Sequence, residues 1–322
     1  SAATQEAARV VTLDEALALF AANNLELRLA RAQADEAAGL ARQASAFPNP
    51  SLSGTHETLS GDERDISESY LNLSQRLEWP GARSARSRAA EGAAEAARAR
   101  LAADSARLAF RVKEAWVRAA RAHRAEVVLE EVTEVFREGA RSAEERFAAG
   151  DLSLYDRRRI QVERVRYETR LAEASLEAAA ARRELALLVL PEGDARELAP
   201  AEGLEGLPPR VTREAARATA LDRRRELAAV RARVAAAAAG ASLARRKRIP
   251  DLTATGGYKR QSDGLDGLFL GLSLPLPFWD RNAGAVDAAE ARLTAASSRA
   301  SLVRRQVLND VARALERHRS LA

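Results

Sequence analysis

The chain repeats itself at a spacing of about two hundred residues, and that repeat limits it to a duplicated architecture. Val11-Thr12 and Glu26-Leu27 return as Val211-Thr212 and Glu226-Leu227, and Pro50-Ser51-Leu52-Ser53 returns as Pro250-Asp251-Leu252-Thr253. After a one-residue deletion, Leu71-Asn72-Leu73-Ser74 matches Leu270-Gly271-Leu272-Ser273, and Leu77-Glu78-Trp79 matches Leu276-Pro277-Phe278. The expected structural repeats are 11–208 and 209–322. On the spacing that follows the deletion, Ala322 corresponds to His123, so the second copy is expected to be truncated before its return helix. An omitted C-terminal part, or a cut during preparation, accounts for this better than a naturally short protein.

Local signals fill in the repeat. Thr12-Leu13-Asp14-Glu15 has capping-box spacing and predicts a helix from about 13 to about 47, where Pro48-Asn49-Pro50 forbids further helix. Two strand-like segments, about 50–59 and 68–79, follow as a hairpin around the polar turn Ser60-Gly61-Asp62-Glu63-Arg64. Leu71, Leu73, Leu77 and Trp79 fall on one face, with Asn72, Ser74, Arg76 and Glu78 on the other. In the second hairpin, 250–278, Leu268, Leu270, Leu272, Leu274 and Leu276 alternate with Gly267, Phe269, Gly271, Ser273 and Pro275. Alternating segments of about ten residues that end in aromatics such as Trp79, Phe278 or Trp279 suit transmembrane barrel strands with an interfacial girdle. A half-buried hairpin on a soluble domain would give the same pattern in one copy.

Residues 82–149 contain no Pro and predict a continuous helix, roughly 100 Å long at a rise of about 1.5 Å per residue. Leu101, Leu108, Val112, Ala115, Ala119 and Ala122 follow the spacing of a coiled-coil seam. Beyond a tip at Gly150 the seam resumes in Tyr167, Leu171, Ala174, Ala178, Ala181, Leu185 and Leu188, and a Gly/Pro-rich linker follows at about 191–210.

Composition excludes several classes. With no Cys, the chain as given has no disulfide, thiolate metal site or N-terminal lipidation. Without Met, and with Ser1-Ala2-Ala3 in front, it reads as a processed or trimmed product. No stretch reaches the roughly 18 apolar residues of a membrane helix. The nearest, 234–243, is mostly Ala and flanked by Arg233 and Arg245, so any membrane span is expected as a closed barrel. The 51 Lys and Arg are interleaved with 46 Asp and Glu, which speaks against a nucleic-acid partner.

His56, His123 and His318 lack ligand spacing, so no metal site is expected. There is no P-loop or nucleophile elbow, and Gly256-Gly257 precedes no helix; neither an enzyme nor a cofactor is indicated. Arg157-Arg158-Arg159 and Arg245-Arg246-Lys247-Arg248 read as solvated faces. The second cluster precedes a strand and could face a phosphate-rich membrane interface.

The segment order, with Phe47-Pro48-Asn49-Pro50-Ser51-Leu52 entering the first strand and 272–284 (Leu-Ser-Leu-Pro-Leu-Pro-Phe-Trp-Asp-Arg-Asn-Ala-Gly) leaving the fourth, resembles the outer-membrane efflux factors, the TolC-like family. The likeness covers essentially the whole chain and is closest to the heavy-metal cation branch. It implies a mainly α fold in which long helices form a periplasmic helical barrel and four strands join a trimeric twelve-stranded outer-membrane barrel. The function implied is a passive exit duct of a tripartite efflux system, with heavy-metal cations as the suggested cargo. The partners implied are two further copies of the chain, a periplasmic adaptor, an inner-membrane pump and outer-membrane lipid, and the place is the outer membrane of a Gram-negative bacterium. The resemblance puts adaptor contact at Phe147, Gly150, Asp151, Leu152, Ser153, Tyr155 and Asp156, although Ser153 and Asp156 also have capping spacing. Lipid contact is expected at Leu71, Leu73, Leu77, Trp79, Leu270, Leu272, Leu274 and Leu276. A chain cut at Ala322 is expected not to hold a stable open-ended trimer. The competing reading is a soluble coiled-coil scaffold, which has no reason to keep a leucine face opposite a Gly/Ser face twice.

Overall fold

The computed structural model describes residues 9–60, 65–191, 198–201 and 211–321. The fold is mainly helical with a small strand part. Its elements, in chain order, are β1 (Arg9–Val11), α1 (Leu13–Asn23), α2 (Leu25–Ser45), β2 (Ser51–Leu59), β3 (Ile66–Leu77), α3 (Ala82–Ala148), α4 (Leu154–Val189), β4 (Leu198–Pro200), α5 (Arg213–Arg223), α6 (Arg225–Arg246), β5 (Leu252–Gln261), β6 (Asp266–Ser273) and α7 (Ala283–Leu321). Most of the linker at 191–210, and residues 61–64 of the first hairpin turn, lie outside the described residues.

Compactness divides the chain differently from the repeat. Described residues within Ser1–Ala30 and Asp104–Arg210 form one unit, and those within Arg31–Ala103 and Val211–Ala322 form the other.

In the first unit, β1 and β4 pair in parallel, Arg9 opposite Leu198. The buried Trp116 of α3 donates its indole N–H to the Val11 carbonyl at 3.1 Å, fixing this ribbon to the helices. The capping box forms as expected: Glu15 N–H donates to Thr12 Oγ1 at 3.2 Å and Thr12 N–H to Glu15 Oε2 at 2.8 Å. The helix from 13 does not run unbroken to 47, however. Asn24 has extended backbone (φ −66°, ψ 122°) and ends α1. Its side chain explains why: Oδ1 accepts from Leu27 N–H at 3.0 Å, opening α2, while Nδ2 donates to the Leu188 carbonyl at 3.1 Å, near the end of α4. Asn23 does the same for Val189 at 3.1 Å. Two otherwise open helix ends are thus satisfied from one break.

The predicted seam holds over its middle. Leu108, Val112, Ala115, Ala119 and Ala122 of α3 are buried, as are Ala178, Ala181 and Leu185 of α4, whereas Leu101, Tyr167, Leu171, Ala174 and Leu188 are half-buried. Towards the turn the seam becomes polar. Thr133 is fully buried and donates to the Leu129 carbonyl at 2.6 Å, and Phe136 stacks on Tyr167 with centroids 4.4 Å apart. Between the two helices, Glu126 accepts from Ser175 Oγ at 2.7 Å and Arg182 at 3.2 Å, with His123 Nδ1 at 3.6 Å. Burial alone would raise the Glu126 carboxyl, but the bonds from Ser175 and Arg182 outweigh it and hold the group below its ordinary value.

In the second unit, α5 and α6 reproduce α1 and α2, with a break at Arg224 (φ −66°, ψ 116°) that carries no side-chain cap. The first copy's helix stops at Ser45, two residues before the expected end. There the Ser45 carbonyl accepts from Arg83 Nε at 2.9 Å and the Ala46 carbonyl from Arg86 at 2.8 Å. Helix packing is close and small: a Cβ on Gly92 of α3 would lie 3.2 Å from Ala236 Cα of α6. One expectation is corrected here, since α6 is long and apolar enough to cross a membrane by length and composition. Its apolarity is alanine, and it packs along α7.

The four remaining strands form one antiparallel sheet in the order β2-β3-β5-β6. Two strand ends differ from expectation. β3 covers 66–77, leaving Trp79 beyond it, and β6 stops at Ser273, leaving Leu274 and Leu276 outside the ladder. The alternation ran on in sequence, but Pro275 and Pro277 have no N–H to donate.

Two outcomes follow. Asn24→Ala should lower stability by about 1–2 kcal/mol, because both a cap and a helix-end donor are lost, and Arg224→Ala should lower it less. Thermal unfolding of the two variants compares them; equal shifts would overturn the role given to Asn24. The Glu126 contribution, from a depressed carboxyl, is complete above the ordinary glutamate range and lost as pH falls through the folded-state value. Glu126→Gln should therefore be less stable at neutral pH and should narrow its deficit as pH drops below about 4, read from unfolding midpoints across that range.

Candidate functional site

Register fixes which side chains share a face of the sheet. Leu52 of β2 lies opposite Leu73, Leu73 opposite Gly256, and Gly256 opposite Leu270, so these four form one cross-strand row. The next row on the same face is Gly54, Leu71, Tyr258 and Leu268, and Leu272 beside Ala254 and Leu77 beside Leu252 extend it. Away from the turns this face is mostly apolar and exposed, with Leu268, Leu270 and Leu272 at 86%, 92% and 74% exposure; Gln75 stands in the Leu272 row, and His56, Ser69, Arg260 and Asp266 make the face polar near the turns. Leu71, Leu73, Leu77 and Trp79, and beyond β6 Leu274 and Leu276, are exposed as well.

The opposite face is polar. Ser53, Asn72, Gly257 and Phe269 form one row, and a Cβ on Gly257 would come within 2.5 Å of both Asn72 Oδ1 and the Phe269 ring. Glycine is thus required where Phe269 crosses the strand. Nearer the hairpin turns, Glu68 accepts from Lys259 Nζ at 3.0 Å and from Tyr70 and Gln261. Ser74 and Thr255 share a hydrogen bond at 2.9 Å, and Arg76 meets Asp251 at 3.7 Å. Several polar groups on this face hold one another, while the leucines of the other face are left exposed.

The second feature is the turn from α3 to α4. Gly150 is left-handed (φ +83°), and its N–H donates to Phe147 O at 3.1 Å while Asp151 N–H donates to Arg146 O at 2.9 Å. These two bonds make a Schellman ending, which explains the glycine. Ser153 caps α4, accepting from Asp156 N–H at 3.0 Å and donating its hydroxyl to the Asp156 carboxylate at 2.6 Å. Arg157 packs over the Phe147 ring at 4.2 Å and pairs with Glu144 at 3.3 Å.

The turn therefore brings all seven predicted contact residues together but divides their work. Phe147, Ser153 and Asp156 hold the turn, Leu152 is half-buried, and Gly150, Asp151 and Tyr155 face outward, Tyr155 at 72% exposure. Leu154, at the first position of α4, is exposed beside them. Among the described residues no group of His, Asp and Glu is arranged to hold a metal ion.

Comparison with known proteins agrees with this geometry. Residues 216–321 match the family model described as outer membrane efflux protein. Over 283 residues the chain is 33% identical to the cobalt-zinc-cadmium resistance protein CzcC of Cupriavidus metallidurans, covering 87% of this chain; it spans 66% of CzcC's length. Among solved structures, CusC aligns with a TM-score of 0.76 at 20% identity, over 96% of this chain and 76% of that one. VceC of Vibrio cholerae aligns with a TM-score of 0.75 at 23% identity, over 96% and 79%. The two structures show the fold. The chain belongs to the outer membrane efflux protein family, whose members are outer-membrane channels and not enzymes.

The two-faced sheet yields a direct test. Leu272→Arg should strongly impair membrane assembly, whereas Ser273→Arg on the polar face should be tolerated, since a charge at mid-bilayer costs about 2–4 kcal/mol and a hydrated one costs little. Fractionation of the two variants into outer membranes would show the difference, and equal tolerance would remove the membrane reading of the leucine face.

Proposed function

We propose that this chain serves, within a homotrimer of the complete protein, as the outer-membrane exit duct of a tripartite efflux system. The carrying observation is the sheet. It has four strands, an exposed leucine face, a polar opposite face, and two edges, β2 and β6, that have no partner strand among the described residues. Four strands fall short of the roughly eight that close a membrane barrel, whereas three copies supply twelve with β6 of one pairing β2 of the next. The leucines would then meet lipid and the Glu68, Asn72, Ser74 and Arg76 face would line a wet lumen. The scaffold alternative leaves those leucines in water on both hairpins.

The strand ends nearest the helices would lie at the periplasmic side, with both hairpin turns outside. The α3–α4 turn would be the docking point for a periplasmic adaptor, through Gly150, Asp151, Leu154 and Tyr155, and energy would come from an inner-membrane pump. The division into repeats 11–208 and 209–322 fits this arrangement, each repeat giving one hairpin. Heavy-metal cations are the proposed cargo, supported by the identity to a cobalt-zinc-cadmium resistance protein.

Leu154→Glu combined with Tyr155→Ala tests the docking role. Both side chains are exposed and neither takes part in the contacts that hold the turn, and the open space around Gly150, where an added Cβ meets nothing within 4 Å, is what an approaching hairpin would need. Cells carrying the variant should become sensitive to cobalt, zinc or cadmium while keeping normal protein levels in the outer membrane. Unchanged resistance would place the adaptor contact elsewhere. Unchanged sensitivity to every metal on deletion of the gene would remove the cargo assignment.

A further inference from the structure

Where strands give way to helices, three chain segments converge. The Trp79 indole donates to the Pro250 carbonyl. Asn282 Nδ2 donates to the Ala244 carbonyl at 2.8 Å. The Arg246 guanidinium lies against Gly81, whose absent Cβ would be 2.9 Å from Nη1. Residues around 79–81, 244–250 and 278–282 are therefore neighbours.

The charges in this neighbourhood are not balanced. Three of its acids are paired with arginines, Glu78 with Arg86 at 3.0 Å, Asp251 with Arg76 at 3.7 Å and Glu290 with Arg245 at 2.8 Å, while Asp280 accepts from Asn282 N–H at 2.8 Å and keeps its charge. Arg246, Lys247, Arg248 and Arg281 are exposed and make no ion pair among the described residues. Beside them stand exposed aromatic rings: Trp79, Phe278, and Trp279, which is 96% exposed and meets Phe278 edge to face at 6.2 Å. The set continues from the leucine face, through Leu77, Leu252, Leu274 and Leu276.

We propose that this junction is a binding belt for anionic phospholipid headgroups of the periplasmic leaflet, with Arg246, Lys247, Arg248 and Arg281 on the phosphates and Trp79, Phe278 and Trp279 at the headgroup level. Aromatic rings favour that depth because one edge is apolar and the other can reach water. Basic residues at a membrane surface attract anionic lipid, and four cations without an ion pair, set against the single acid Asp280 that lacks a cationic partner, leave a positive surface that complements it. An exposed tryptophan next to cations has no comparable use in solvent. The inference rests on the barrel reading and adds the chemistry of the lipid that seats it.

Purified protein reconstituted into vesicles of phosphatidylcholine, alone or mixed equally with phosphatidylglycerol, tests it by counting retained lipids with native mass spectrometry. The wild type should retain phosphatidylglycerol preferentially, and raising salt from about 50 to about 300 mM should reduce that preference. The triple variant Arg246→Gln, Lys247→Gln, Arg248→Gln should lose the preference by about tenfold or more while still inserting. Trp279→Ala should weaken retention of both lipids. A wild type that inserts but shows no preference, or a preference unmoved by salt and by the triple variant, overturns the belt alone. Displacement of the lipid by millimolar inorganic phosphate would mark a phosphate site instead and overturn it too. A wild type that enters neither kind of vesicle overturns the barrel reading together with it. The salt response of the wild type decides the matter even if the triple variant fails to fold.

Discussion

Backbone hydrogen bonding at the edges of one small sheet is the constraint on which the other features turn. The strands are paired internally from β2 to β6, but the N–H and C=O groups along the outer sides of these two remain. Water can satisfy such groups and hydrocarbon cannot, whereas the leucine face is favourable in hydrocarbon and not in water. No placement of a single copy meets both demands. Closing the sheet on further copies, as proposed, would meet both, and would leave the mutual pairing of Glu68, Lys259, Tyr70 and Gln261 in a hydrated interior.

The antiparallel order has a second consequence. Both hairpin turns fall at one end of the sheet, and all four connections to helices fall at the other. A barrel built from this sheet is open to helices on one side only, so a helical continuation follows from connectivity before any family likeness is considered. Proline marks that hand-over at Pro48, Pro50, Pro80, Pro250, Pro275 and Pro277, where each residue denies the ladder a donor.

Much of this was legible because periodicity records burial. The strand alternation and the Ala/Leu seam appear in the sequence as regular spacings, and the structure keeps them at Leu71, Leu73 and Leu270 and at Leu108 through Ala122. The breaks at Asn24 and Arg224 were not legible, because nothing in the local sequence forbids helix there. The reason for the first is a partner far along the chain, the carbonyl ends of α4, which only the fold brings to Asn23 and Asn24. The second break has the same backbone with Arg224 in place of Asn24, so the break forms there without the side chain that locks it in the first copy. The end of β6 was misjudged for a different reason: the leucine spacing through Leu274 and Leu276 reports a face, and a face can continue after the hydrogen-bonded ladder has stopped.

The candidate docking turn shows the same limit more sharply. The family resemblance singled out seven residues, yet it could not separate those that build the turn from those left available. A Ser-capped helix start, a left-handed glycine and an arginine folded over Phe147 are internal contacts, and replacing any of them would disturb the turn whether or not a partner exists. What remains outward is Asp151, Leu154 and Tyr155, with Arg158 and Arg159 exposed just beyond. Because the internal contacts already satisfy the backbone and the caps, the outward side chains contribute little to holding the turn, and their apolar and aromatic surface has no folding role. A partner that binds here must therefore recognise those side chains together with the bare glycine backbone, and substitutions confined to them separate docking from folding in a way that substitutions at Phe147, Ser153 or Asp156 cannot.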